Sequence, residues 1–183
     1  SLMVNKGTVK NTSANYSAFS GAVNSELINY GLVQAAAFHA AGFTSTGKVT
    51  NYGTLETLSS TSRGISTGGA VTVLNSKVDD QGQPGAGLIK GGIGIHTAGG
   101  SVTNYGTIEG TTGAGITSTA ALTFINGTGA LVDGNVALSN HANDVTFWVD
   151  SRIDGNFTMG SAASTLTFAG ELETDSTSPD YLK

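Results

Sequence analysis

At 183 residues the chain fits one domain, but with 11% charged residues, 27 glycines and no cysteine it departs from average globular composition. A formal net charge of −5 with only 8 scattered basic residues argues against a nucleic-acid or anionic-lipid surface, since both need clustered Lys and Arg. Without cysteine, neither a disulfide framework nor a thiolate metal site is possible, and no apolar run reaches the ~18 residues of a membrane span. Little charge with abundant Val, Ile and Thr points to ordered β structure rather than disorder.

Along the chain, one phrase recurs around an asparagine. It reads MVNKGTV at Asn5, LINYGLV at Asn29, VTNYGTL at Asn51, VLNSKV at Asn75, VTNYGTI at Asn104 and FINGTGAL at Asn126. The steps between successive asparagines fall in the low twenties, except for a longer one from Asn75 to Asn104. Two positions before each Asn stands an apolar residue: Met3, Leu27, Val49, Val73, Val102 and Phe124. Another follows it: Val9, Val33, Leu55, Val78, Ile108 and Leu131. A second phrase, Gly followed by polar residues, interleaves at Gly21, Gly42, Gly64, Gly94 and Gly115. Further on, two segments offset from Gly134 to Gly155 pair Val136 with Phe157, Val145 with Leu166, and Phe147 with Phe168.

A period in the low twenties marks a unit that buries its apolar face only by stacking on its neighbours. The apolar positions alternate as in strands, and only Gln34–Phe43 is weakly helix-like. The spacing predicts an all-β fold, a right-handed parallel β-helix of roughly eight coils of about 22 residues. It spans 1–172, with regular Asn-x-Gly coils over 1–131 and degenerate coils over 132–172, followed by an acidic tail at 173–183. Asn is expected to stack in a polar ladder at a corner, tolerating left-handed backbone, while the following Gly supplies positive φ.

The phrases VTNYGTLE, VTNYGTIEG and GAGI, with the DGN-containing pair near the end, resemble the passenger repeats of Gram-negative autotransporters. The resemblance covers nearly the whole chain. It implies a β-helix displayed on the bacterial cell surface or secreted, cut from a longer chain with a signal peptide before it and a membrane β-barrel after it. It further implies a non-enzymatic adhesin or virulence module that needs no cofactor or metal and does not itself insert into the membrane. Its partner would be a host cell-surface or extracellular-matrix protein or glycan, with self-association as an additional mode. The rival readings are a passive structural stalk and, behind it, a carbohydrate-active β-helix enzyme.

Two features are candidates for contact. The step from Asn75 to Asn104 is the longest of the series, with its surplus near Asp79–Gly87, so Asp79, Asp80, Gln81, Gln83 and Pro84 are expected on a protruding loop. Beside the Asn file, Tyr30 and Tyr52 should stack on adjacent coils, followed by Ser76 and then Tyr105. Catalytic motifs fare worse. GISTG at Gly64–Gly68 matches G-x-S-x-G, but no strand–turn–helix pattern surrounds it, and repeat alignment makes Ser66 equivalent to Thr44, His96 and Thr117. GGIGIH at Gly91–His96 has His where a calcium repeat needs Asp. Asp133 and Asp154, one period apart, should stack vertically, as a carboxylate groove would require.

Overall fold

The structure, a computed structural model, describes residues 1–170, so the acidic tail lies outside the described residues. Among the described residues there are strands and turns and no helix. Each coil gives one strand to an eight-stranded sheet: Leu2–Asn5, Ser25–Asn29, Gly47–Asn51, Val71–Ser76, Gly100–Tyr105, Leu122–Asn126, Asp144–Trp148 and Thr165–Ala169. These strands neighbour one another in chain order, and all their pairings are parallel. An eleven-stranded sheet forms the other walls, also from parallel pairs. In it the long strands Leu88–Thr97 and Thr107–Ser118 pair with a register shift after Gly91, so one strand serves two walls. The chain is therefore a β-solenoid of about eight coils.

Period-2 alternation fills the interior with three apolar columns. From the first sheet come Leu27, Val49, Val73, Val102, Phe124 and Val145, all buried. From the second wall come Val9, Val33, Leu55, Ile89, Ile108, Val132 and Ile153. The third is Phe19, Ala41, Ile65, Ile95, Ile116, Val136 and Phe157. Two expected members of the second column are displaced. Val78 is 52% exposed because it lies in the inserted segment, and Ile89 fills its place. Leu131 yields to Val132, since the turn after Asn126 is longer than in the earlier phrases. The weakly helix-like Gln34–Phe43 takes in the end of the strand Leu32–Ala35, a bend over 36–40 and the strand Ala41–Phe43.

The six asparagines stand in one file. Each side-chain Nδ2 donates to the next Oδ1, at 2.8 Å from Asn5 to Asn75 and 2.9 Å on to Asn104 and Asn126. The same amides donate across the corner to carbonyls of the second wall, Leu32, Thr54, Leu88, Thr107 and Leu131, at 3.0–3.1 Å. Asn29 through Asn126 are fully buried, so each link replaces water contacts that the amide has lost. Neither backbone expectation at this corner holds. No ladder Asn has positive φ, and Gly31, Gly53 and Gly106 do not either. These glycines are required by close approach: a Cβ there would collide with the carbonyl oxygen of Gly7, Gly31 and Gly87 respectively.

Replacing Asn75 by Ala removes donors to Gly87, Asn104 and Thr107 in a dry interior. Urea unfolding should show a loss of about 3 kcal/mol, and a smaller one for the end member Asn5, which is also buried but has one ladder neighbour instead of two. Gly53→Ala should destabilise severely, because the backbone of the coil below stands in the way, whereas Gly7→Ala meets nothing within 4 Å and should be near neutral. Paired thermal melts of the two variants check this.

Candidate functional site

The surplus of the long coil folds as a small hairpin between Ser76 and Leu88, closed by an antiparallel bridge from Val78 to Pro84. Asp79 organises its tip. Its Oδ1 accepts the Gln81 and Gln83 backbone N–H groups at 2.8 and 2.7 Å, its own N–H donates to the Gln83 carbonyl, and Gly82 takes positive φ. Asp80, Gln81, Gln83 and Pro84 all face solvent.

The hairpin and the tyrosine file form one unit. Tyr30 and Tyr52 stack with ring centroids 5.2 Å apart, and the Lys6 ammonium lies 5.5 Å from the Tyr30 ring centre. Tyr30 Oη donates to Asp80 Oδ1 at 3.1 Å, and the Gly87 N–H donates to the Tyr52 carbonyl at 3.0 Å. Gly85 passes so close over Tyr52 that a Cβ would strike its carbonyl oxygen. Tyr52 is consequently 9% exposed and is an internal support, not the outward contact expected of it. Partial burial first and Asp80 next hold both phenols above the ordinary tyrosine value. Tyr105 stays apart, registered with Ser76 and 45% exposed.

A second concentration of functional groups lies on the wall built by Phe19–Gly21, Ala41–Phe43 and Arg63–Thr67. Its outward file runs Ser20, Gly42, Ser66, His96 and Thr117 on successive coils. Gly42, not Thr44, is the partner of Ser66, because the real register is offset by two positions from the alignment of the Gly phrases. Over Gly42 lies an open notch of about 260 Å³, lined among others by Asn15–Ser17 and Phe38–His39, loops of adjacent coils that stack at one corner. His39 packs against Phe38 at 4.2 Å, and its Nδ1 accepts the Arg63 backbone N–H at 3.2 Å. The Arg63 guanidinium donates to Ser66 Oγ at 3.2 Å, while His96 Nδ1 pairs with Thr117 Oγ1 at 2.8 Å. This notch is invisible in the sequence, since Tyr16 and Phe38 belong to no repeat phrase.

The catalytic motifs do not assemble. Ser66 sits mid-strand, and among the described residues the side-chain partner of its Oγ is Arg63, which donates to it, not a His or carboxylate. The file Glu56, Lys90, Glu109, Asp133 and Asp154 does stack carboxylates on successive coils, and Glu109 extends the expected Asp133–Asp154 pair. Glu109 is neutralised by Lys90 at 2.7 Å and Asp154 by Arg152 at 2.7 Å, and neither main surface depression is lined by any of this file. Among the described residues, no group of three or more His, Cys, Asp or Glu is placed to hold a metal ion.

Burial, then the Arg63 charge, then His96, lowers the His39 pKa to about 4, and burial with Arg63 lowers that of His96. In the unfolded chain His39 titrates near 6.5, so between pH 6.5 and about 4 the unfolded state binds more protons. Stability should therefore fall as pH drops through that window. His39→Asn, which keeps an acceptor for the Arg63 N–H, should flatten the profile and leave a residual slope from His96; melts from pH 7 to 4 measure this.

Comparison with protein-family models, with curated protein sequences and with solved structures finds no match to this chain.

Proposed function

We propose that the chain is a segment of a surface-exposed bacterial passenger of the autotransporter type, a non-enzymatic module for host contact that acts through the Ser76–Leu88 hairpin. The observation that carries this reading is the state of the hairpin. Its tip is solvent-exposed, yet it is pinned by Asp79 and seated on stacked Tyr30 and Tyr52. A loop ordered before binding loses little conformational entropy on contact, so its groups convert efficiently into affinity. Asp80 with the exposed Gln81 and Gln83 suits a host or matrix protein surface carrying basic side chains. The β-solenoid supports the reading as a stiff scaffold, and the Cys-free, sparsely charged sequence suits export through an outer-membrane pore.

A stalk is the second reading, favoured by the unbroken Asn file from Asn5 to Asn126, which builds stiffness without reference to any ligand. Substituting Gln81, Gln83 and Pro84 by Ala leaves the Asp79 turn and the Tyr30–Asp80 bond in place. Binding of the full chain to host-cell monolayers and immobilised matrix proteins should fall at least tenfold in this variant, with unchanged circular dichroism. Unchanged binding removes the hairpin from the reading, and no binding by the parent chain favours the stalk. Sedimentation velocity over a concentration series reads self-association in the same samples.

A further inference from the structure

We infer that the notch over Gly42 is a second binding site, separate from the hairpin, that takes a carboxylate-bearing sugar ring. Its dimensions come first. At about 260 Å³ the notch is smaller than the ~300–1,000 Å³ typical of drug-sized pockets, which suits one ring rather than an extended ligand. Gly42 has no side chain, and Ser17 Oγ occupies the space a Cβ there would take, so the notch is floored by a glycine and a hydroxyl rather than a bulky group.

The lining chemistry selects a sugar. Tyr16 is 68% exposed and Phe38 36%, and both border the same notch from equivalent corner loops on adjacent coils. Aromatic side chains held at a rim offer apolar faces for the C–H side of a pyranose, as amphipathic contact surfaces do elsewhere. Hydroxyl and imidazole groups complete the lining: Ser17, Ser20, Ser66 and His39. Because His39 Nδ1 already accepts the Arg63 N–H, the neutral ring carries its proton on Nε2, a free donor for a sugar oxygen. Beyond the notch the outward file continues through Ser66, His96 and Thr117, one position per coil. Coils repeat at roughly 4.8 Å, a rise comparable with one sugar residue, so an oligosaccharide can follow the file along the rod.

Charge selects the carboxylate. No Asp or Glu lines the notch, and Arg63 takes part in no ion pair among the described residues. Its guanidinium is held one hydrogen bond from the notch through Ser66 Oγ. A planar guanidinium pairs with a carboxylate in a two-pronged contact, which a neutral sugar cannot supply. Uronates and sialic acids share this chemistry.

Isothermal titration of the full chain with tetragalacturonate, sialyllactose and lactose tests the inference. At least one acidic probe should bind ten times or more tighter than lactose, and added salt should weaken it. Tyr16→Ala and Arg63→Gln, both outside the apolar columns, should each cut affinity about tenfold with unchanged circular dichroism. The hairpin variant should bind the sugar like the parent, which keeps this site's fate separate from that of the hairpin. Absence of acidic-sugar binding, equal affinity for lactose, or indifference to both substitutions overturns the proposal. Preference for tetragalacturonate identifies uronates as the source, and preference for sialyllactose identifies sialic acids.

Discussion

One hydrogen-bonded file of primary amides sets the register of this molecule. A side-chain amide has two donors and one acceptor of adequate reach, and each ladder asparagine uses them in several directions. It links upward to the next Asn, sideways to the second wall, and in three coils accepts the N–H of the residue two ahead. Burial of one face forbids a one-residue slip, but a two-residue slip keeps the apolar set inward, where one Val resembles another. A buried amide out of register would lose several partners at once, at a cost of about 1–3 kcal/mol for each group left unsatisfied. The apolar columns supply most of the driving force, and the asparagines determine which alignment that force selects.

From the register follow both candidate sites. The hairpin rests where it does because Asn75 and Asn104 must stay in line across the longest step of the file. The chain between them has nowhere to go but outward, and Gly87 returns it to the ladder by offering its carbonyl to Asn75. The notch arises from a different circumstance. On the wall of Ala41–Phe43 the register brings a glycine into a file of Ser, His and Thr, and the corner loop of the neighbouring coil folds over it with Ser17 Oγ in the space a Cβ would take. An excess of chain makes one site and a missing side chain floors the other.

Much of the architecture is legible in the sequence because the corner demands a single residue type. No other side chain donates and accepts as Asn does at that length, so Asn5 through Asn126 announce the coils, and the residues two before them announce the first column. Features governed by space between coils are not legible. The glycines after Tyr30, Tyr52 and Tyr105 look like turn glycines, yet they answer to a carbonyl oxygen on the neighbouring coil, remote in the chain. Val78 looks like a column member because local spacing cannot show where an insertion begins. Thr44 and Gly42 exchange places for the same reason. Tyr52 reads as a surface residue because nothing nearby in the chain reveals that Gly85 will cover it.

The file of amides does not run the length of the rod. Beyond Asn126 its position passes to Phe147 and then Phe168, whose rings lie 6.0 Å apart and can slide without forfeiting a directional bond. The molecule thus has a latched shaft and a greased end. Under tension applied along its axis, laps should peel from the aromatic end first, and the asparagine seam should arrest the tear at Asn126.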